Sequence, residues 1–560
     1  MDPPSGYGPA DLRSAYNVPA SSSGLTVAIV DAYDWPKAES DLATYRSEYG
    51  LSPCTTANGC FLKVNQRGQN YNYPNWDYKW GREIDLDIDM VSAICPACHI
   101  LLVEADTDDM INLGTGVNTA VAMGALVVSN SYGSPLGEDA GNLNLDAEYF
   151  DHPGVAIVAS AGDEGYGVEY PAVSSDVVTV GGTTLVQDSS SRGWSESAWS
   201  GTGSGCSQYE PKPAWQSDKC SGRTEVDVSA VADPGTGVAS FDYSYGWGVL
   251  GGTSASAPII AAMYALAGNP GANPAAPLYE HAGDFNDVTT GSNGTCGTFW
   301  TSSYYLCNAV PGYDGPTGLG TPNGIAAFKP TAATLDVKGI ASPSVAGVDG
   351  SVTVTAQDQY GNTVTDYQGT IHFTSSDAQA TLPANYTFTA GDAGVHTFST
   401  YYTCTGSCKI PEPHPVLVLR TAGTQSVTAT DTSDSTITGA QTGIVVTPRA
   451  ATQLAVSGFP ISDVAGVAHD LTVTALDQFG NTDPTYAGTV HFSSSDSAAV
   501  LPANATLTGG VGTFSVTFNT AGNTIALSGA LSGGGGLIVT GGVAFADVVT
   551  PGTKSAVMPS

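Results

Sequence analysis

The heptapeptide Gly252-Thr253-Ser254-Ala255-Ser256-Ala257-Pro258 combines a glycine turn, a serine and the start of an apolar run, Ile259 to Leu266. That order places the Ser254 hydroxyl at a helix N-terminus, where unpaired backbone N–H groups and the helix dipole favour developing negative charge. The same string also suits a cap before a buried helix. A serine needs a base to become a nucleophile. Histidine is the usual one, and before Pro330 the candidates are His99, His152 and His281. His99 opens an apolar run, His152 lies in a Pro-Gly turn and His281 sits in a loop, so each reads as structural.

Carboxylates offer another base. Gly81 to Val91 alternates acidic and apolar residues, a pattern that also suits a strand. Wound as a helix, it brings Glu83 and Asp87, at i and i+4, onto one face. Acids that close hold a proton to higher pH than a free one, and such a pair can take a proton from Ser254. On a solvated helix face the same residues would only bind water. Val155 to Gly165 is an apolar strand ending in the glycine-bracketed Asp163. An acid at that end of a strand points into the ligand crevice of an α/β sheet. Kept neutral, its O–H donates to an oxyanion; unassisted, it is an ordinary turn residue.

Three segments, Glu83-Ile-Asp-Leu-Asp87, Ser160-Ala-Gly-Asp163-Glu-Gly165 and Gly252-Thr-Ser254-Ala-Ser-Ala-Pro258, come in this order. Together they resemble the sedolisins, the serine-carboxyl peptidases. Glu169-Tyr-Pro-Ala172 with Val178 to Thr184, and Ser200 to Cys206 leading to Pro213-Ala-Trp215, extend the resemblance over residues 7 to 328. It implies that Ser254 attacks the peptide carbonyl, that Glu83 is general base and then acid, and that Asp87 orients Glu83 and shares its proton. Asp163, protonated, would donate to the oxyanion together with the Ser254 backbone N–H. Ser131-Tyr132-Gly133 matches the wall against which substrate lies, with Tyr132 where the family often has tryptophan. Val27 to Asp31 looks like the strand that carries the catalytic aspartate of subtilisins; no histidine follows suitably, so Asp31 reads as structural. The resemblance also implies a calcium site. The side chains of Asp287 and Asp314 and the carbonyls of Val288, Val310 and Gly312 would supply the oxygens that Ca2+ prefers. The family usually has glycine at the Val310 position, and a carbonyl ligand tolerates the change where φ is negative.

These residues need a scaffold. Before Pro330, apolar runs (Thr26 to Val30, Ile100 to Val103, Leu126 to Val128, Val155 to Ala159) alternate with helical patterns (Ala38 to Tyr49, Asn112 to Ala122, Asp146 to Phe150, Ser254 to Leu266). That texture predicts an α/β domain, a subtilisin-like parallel sheet with helices on both faces, over residues 1–330. After Pro330 it becomes alternating Thr, Ser, Val and Gly, and it repeats. Val352 to Asn362 returns as Leu471 to Asn481 and Leu382-Pro-Ala-Asn385 as Leu501-Pro-Ala-Asn504, both at an offset of 119, whereas Thr421-Ala-Gly423 returns only 99 later. The first copy therefore carries about twenty extra residues near Cys404 and Cys408. Two all-β immunoglobulin-like sandwiches are expected, over 331–449 and 450–560. They read as spacers, with a surface or polymer ligand as the alternative role.

The chain has 560 residues, 17 Lys and Arg against 52 Asp and Glu. That balance repels nucleic acid and anionic membranes. It suits acid, because with every carboxyl protonated only those 17 cations and 8 histidines repel one another. Ten cysteines fall in near pairs, Cys54/Cys60, Cys95/Cys98, Cys206/Cys220, Cys296/Cys307 and Cys404/Cys408, which suggests disulfides and an extracellular compartment. Cys95-Pro-Ala-Cys98 also has redox or zinc spacing but lacks partner ligands nearby. No apolar run is long enough to span a membrane. Met1 to Gly6 lacks the features of a signal peptide, and Gly8 to Tyr16 looks like a mature start. The reading is a secreted, acid-acting serine-carboxyl endopeptidase with protein or peptide substrates. Its rivals are a neutral subtilisin-like enzyme using Asp31 and a histidine, and an inactive surface or adhesion protein.

Overall fold

The structure, a computed structural model, describes residues 4–20, 25–134, 137–296, 302–359, 361–403, 412–414, 416–460, 464–494, 496–520, 525–532 and 543–545. It divides into two compact units, Met1–Thr331 with Tyr360–Asp366, and Ala332–Gln359 with Tyr367–Ser560.

The helices of the first unit are α1 (Pro9–Ala15), α2 (Ala38–Glu48), α3 (Tyr78–Ile94), α4 (Met110–Ala122), α5 (Asn142–Leu145), α6 (Thr253–Ala267) and α7 (Ala276–Glu280). Its strands are β1 (Thr26–Ala32), β2 (Phe61–Asn65), β3 (His99–Ala105), β4 (Val127–Asn130), β5 (Ala156–Ser160), β6 (Val178–Gln187), β7 (Trp194–Ala198), β8 (Cys206–Pro211), β9 (Gly222–Thr224), β10 (Val228–Val231), β11 (Val238–Asp242) and β12 (Gly246–Leu250). The main sheet runs β10-β6-β5-β4-β1-β3-β2, with β7 on the flank of β6. Every pair in it is parallel except β6 with β7.

Burial on both faces explains the unbroken apolar strands. Val27 and Ile29 of β1 enter the core shared with α3 and α6, while Ala28 and Val30 enter the other, shared with Leu113 and Val117 of α4. The α/β expectation for this region is thus met, and each predicted strand and helix appears within a few residues of its expected ends. Four predicted cysteine pairs are disulfides, Cys54–Cys60, Cys95–Cys98, Cys206–Cys220 and Cys296–Cys307; the pair Cys404/Cys408 lies outside the described residues.

The second unit is strand-rich, and its sequence repeat is a structural repeat. In the first copy Thr334–Lys338, Val352–Gln357 and Val395–Phe398 form an antiparallel sheet; in the second, Gln453–Ser457, Ala468–Leu476 and Val511–Thr517 do. Thr370–Ser375 and Thr489–Ser494 occupy equivalent places in a second sheet of each copy. The repeated Asp-Gln-aromatic-Gly-Asn loop explains itself in the second copy. Asp477 organises it by accepting from Phe479 N (2.8 Å) and Asn481 N (2.9 Å). Asn481 then bonds the first copy twice, accepting from Ala422 N (2.7 Å) and donating to the Arg420 carbonyl (2.7 Å). The Phe479 ring fills the space beside Gly347, where a Cβ would come within 2.3 Å of it.

Candidate active site

Helix α3 begins at Asp77, whose carboxylate accepts from Lys79 N (2.8 Å) and Trp80 N (3.1 Å), an N-cap. The segment is therefore helical, and Glu83 and Asp87 share one face. Its strand-like alternation arises because the opposite face is buried too. There Asp85 accepts from the Trp35 indole (2.8 Å), and Asp89 from Ser240 Oγ (3.0 Å) and Phe241 N (3.1 Å).

Ser254 sits in the first turn of α6. Its N-cap, Gly252, has φ 95°, a conformation that favours glycine, and a Cβ there would come within 2.6 Å of Asp163 Oδ2. The Ser254 side chain lies close enough to the Glu83 carboxyl to favour its charged form. Burial pushes Glu83 up to about 7, Ser254 pulls against it, and the Asp163 charge adds to the rise. Asp87 is buried and held well above the ordinary carboxyl range, first by burial, then by the charges of Asp31 and Glu83. Ser131 Oγ lies 2.9 and 2.8 Å from the two Asp87 oxygens and 3.3 Å from the Ser254 carbonyl oxygen.

Asp163 follows β5 and reaches the same turn. Its Oδ1 accepts from Thr253 N (2.7 Å) and Thr253 Oγ1 (2.9 Å). Burial raises its pKa against those two bonds. The sheet's C-terminal edge thus brings all four predicted catalytic residues into one neighbourhood. It brings the predicted substrate wall as well, because Ser131, Tyr132 and Gly133 follow β4 directly, and Tyr132 is fixed by a bond from its hydroxyl to Asn130 Oδ1 (2.8 Å).

Two residues join this site that the sequence reading had not placed there. Asp31, at the end of β1, is fully buried, and neither carboxyl oxygen has a hydrogen-bond partner among the described residues. Burial, then the charges of Glu83 and Glu104, hold it well above its ordinary pKa. The available signal was a lone acid in an otherwise apolar strand. Glu169 packs its carboxyl against the wall, where a Cβ on Gly133 would come within 2.2 Å of Oε2. Burial and the neighbouring Glu164 and Asp163 push it up to about 8.

The histidines lie elsewhere. His99 opens β3 and His152 precedes β5, both at the N-terminal ends of strands; His152 Nε2 bonds Asn118 Oδ1 (2.8 Å). His281 faces Asp284 (3.4 Å) and Thr331 (3.4 Å).

The predicted calcium residues also converge. Gly312 N donates to Asp287 Oδ2 (3.0 Å), and Val310 N to Asp314 Oδ2 (3.0 Å). Burial pushes Asp314 up to about 8, and the Asp287 charge adds to it. Among the described residues, no group of three or more His, Cys, Asp or Glu side chains is arranged to hold a metal. Carboxylate oxygens are ligands that a hard, oxygen-seeking ion takes, and among the described residues neither carboxylate has an ion pair; the backbone groups seen against them are the N–H groups of Val310 and Gly312. Among the described residues no helix is long and apolar enough to cross a membrane.

Residues 70–281 match the subtilase family model. Kumamolisin from Bacillus sp. (strain MN-32) is 31% identical over 370 residues, covering 58% of this chain and 63% of its own length. Sedolisin from Pseudomonas sp. (strain 101) is 29% identical over 363 residues, covering 56% and 60%. A solved structure, Pseudomonas sedolisin (serine-carboxyl proteinase) with two molecules of pseudo-iodotyrostatin, aligns with TM-score 0.48 and 27% identity over 57% of this chain and 96% of that one. This chain therefore spans 60 to 63% of the length of these two curated relatives. The sequence matches support a serine-type peptidase on a subtilisin-like α/β domain.

Proposed function

We propose that this protein is a secreted serine-carboxyl endopeptidase that hydrolyses protein or peptide substrates in acid. The observation that carries the reading is the convergence of Ser254, Glu83, Asp87 and Asp163, with Ser254 favouring the charged form of Glu83, Ser131 joining Asp87 to the Ser254 carbonyl and Asp163 accepting from Thr253 N, while each of the three histidines before Pro330 lies at another place in the fold.

Asp31 is held neutral by burial and then the charges of Glu83 and Glu104, Asp87 by burial and then the charges of Asp31 and Glu83, and of the three only Glu83 has its charged form favoured by Ser254. The cluster's first negative charge therefore falls on Glu83, facing the nucleophile. Glu83 takes the Ser254 proton as the serine oxygen bonds to the peptide carbonyl carbon. The carbonyl π electrons move onto oxygen, where protonated Asp163 and the Ser254 N–H donate to the oxyanion. Collapse of the intermediate breaks the C–N bond, and Glu83 gives its proton to the leaving amine. Water then attacks the acyl-enzyme with Glu83 again as base, and the serine recovers its proton. Asp87, fixed by Ser131, orients Glu83.

Ca2+ would be held by the Asp287 and Asp314 side chains and the carbonyls of Val288, Val310 and Gly312, and would neutralise the two carboxylates and fix their loop. Residues 1–330 form the peptidase domain; 331–449 and 450–560 are immunoglobulin-like β-sandwiches that act as spacers. Four short-loop disulfides suit an extracellular compartment.

The test is digestion of an unfolded protein across about pH 3 to 7, from ordinary carboxyl pKa values up to the raised value of Glu83, with sequenced products. Cleavage by wild type and none by Ser254→Ala is expected. Activity peaking above about pH 7 would overturn the carboxyl mechanism in favour of a histidine base.

A further inference from the structure

A cavity of about 450 Å³ opens in the first unit, away from the catalytic turn. Its walls include Trp215, Tyr279, Tyr305 and Tyr313, all half-buried. The three tyrosine hydroxyls are already committed, that of Tyr305 to Asp218, which also lines the cavity and is paired with Lys212. Tyr279 donates to Asp227 Oδ1 (2.7 Å), Tyr305 to Asp218 Oδ1 (2.7 Å) and Tyr313 to the Val226 carbonyl (2.8 Å). Asp227 is itself clamped by the buried Arg223 (2.8 and 2.6 Å). The rings are therefore anchored through their hydroxyls, and what they have left to offer a ligand is ring carbon. Its volume falls in the range of ligand sites, roughly 300 to 1,000 Å³.

Position separates it from the catalytic cleft. Val226 and Asp227 precede the N-terminal end of β10, whereas Ser254, Asp163 and Ser131 lie past the C-terminal ends of strands. Four residues of strand span roughly 13 Å. One cation stands at the mouth. Lys219 lines the cavity, is exposed, and makes no ion pair among the described residues. Its ammonium is therefore available to a carboxylate brought by a ligand.

We infer that this cavity is an exosite for a polypeptide, taking an aromatic side chain against the Trp215–Tyr279–Tyr305–Tyr313 wall, with a neighbouring carboxylate on Lys219. A sugar ring suits the wall less well. It would need several free donors and acceptors, and the tyrosine hydroxyls are spent. An aromatic ring needs only faces and edges, and such pairs contribute about 0.5–1.5 kcal/mol each beyond their buried area. The kinetic consequence rests on the peptidase reading: a long unfolded substrate is held at two places, and a short peptide at one.

Binding is measured by calorimetry at about pH 5, above the ordinary glutamate pKa, on Ser254→Ala protein so that nothing is cleaved. The probes are the blocked dipeptides acetyl-Phe-Glu-amide, acetyl-Phe-Gln-amide and acetyl-Ala-Glu-amide, and glucose. Saturable binding of Phe-Glu is expected, with Ala-Glu weaker by about tenfold and glucose not bound. Ala282→Trp, which plugs the mouth, should abolish it. Lys219→Ala, at an exposed position, should weaken Phe-Glu severalfold and leave Phe-Gln unchanged. Equal binding of Phe-Glu and Ala-Glu, preference for glucose, or affinity indifferent to both substitutions overturns the exosite. In active protein, Ala282→Trp should raise KM severalfold for an unfolded protein and leave a short peptide's kcat/KM alone. Because binding is read without turnover, an enzyme that fails to cleave refutes the peptidase reading and leaves the exosite result standing.

Discussion

In the first unit Asp31 is sealed in the sheet with no donor to either oxygen, and Asp85, Asp89 and Glu225 each keep a buried oxygen without one among the described residues. In the second, Asp496 receives Ala498 N (2.9 Å), Asn519 N (2.8 Å), Thr520 N (3.0 Å) and Thr520 Oγ1 (2.6 Å). Asp377, its counterpart in the first copy, receives Gln379 N, Arg420 N, Thr421 N and Thr421 Oγ1 in the same pattern. The two kinds of site favour opposite protonation states. Burial lifts Asp31, Asp85, Asp87, Asp89 and Glu225 well above the ordinary range. Burial also lifts the second unit's acids, but their hydrogen bonds together outweigh it: Asp377, Asp431, Asp477 and Asp483 are lowered and Asp496 reaches about 2. A net charge of −35 thus conceals two populations. One keeps its protons in the folded state; the other stays ionised and pins turns.

The largest effect that tests this division is catalytic. Glu83→Gln should lower kcat/KM on a short peptide by about 10³-fold, because the amide cannot accept the Ser254 proton. Asp496→Asn should leave that value unchanged. Comparable losses from both would erase the distinction. Asp163→Asn should cost about 10²-fold with a diagnostic change in pH dependence. The wild-type rate falls at high pH as Asp163 loses the proton it donates, and at low pH as Glu83 gains one. An amide does not titrate, so the alkaline limb should move to higher pH while the acid limb stays.

How much of this could be read from the residues depended on whether the signal was local. The turns carrying Ser254 and Asp163 are written in glycine spacing, and the strands behind them in unbroken apolar runs. The alternation in Gly81 to Val91 was ambiguous because burial on both helix faces mimics a strand, and the Asp77 cap resolves it. Asp31 reads as structural in the sequence because no histidine follows it suitably; its carboxyl neighbours Glu83 and Glu104 are remote in sequence and meet it only once β1, β3 and α3 pack. Glu169 stood in a stretch already singled out, but its contact with Gly133 depends on a fold-back no periodicity encodes. The repeat was legible as a repeat, yet the seating of Phe479 beside Gly347 was not.

Heat separates the units next. All eight tryptophans precede residue 331, so tryptophan fluorescence follows the first unit alone. Its raised carboxyls are neutral in the folded state. Their stabilising contribution is complete below about pH 4, the unfolded value, and is lost as pH rises through the folded values. Those include about 6 for Asp176 and about 8 for Glu104 and Glu210. Between about pH 5 and 8 the fluorescence-detected Tm should fall by about 10 °C. A rise would mean that these acids are paired rather than stranded. Chelation should lower the same transition by a few degrees while leaving the short-peptide kcat/KM of the protein still folded unaltered, since among the described residues Asp287 and Asp314 bond Val310, Gly312 and Thr317 and not the Ser254 turn.

The smallest effect lies at the other end of the pH scale and in the other unit. Asp377, Asp477, Asp483 and Asp496 are ionised in the folded state at lower pH than in the unfolded chain. Their contribution is complete above about pH 4 and is lost as pH falls through the folded values; for Asp496 that is about 2. The calorimetric transition that tryptophan does not report should therefore move down by a few degrees between about pH 5 and 2, while the first unit's transition holds. Asp496→Asn removes one such group and should flatten that slope, and Asp85→Asn should not, because Asp85 belongs to the class that acid leaves undisturbed. If both transitions moved together across the whole range, the contrast between stranded and satisfied carboxylates would have no thermodynamic content, and the acid tolerance of the chain would need an explanation other than where its donors lie.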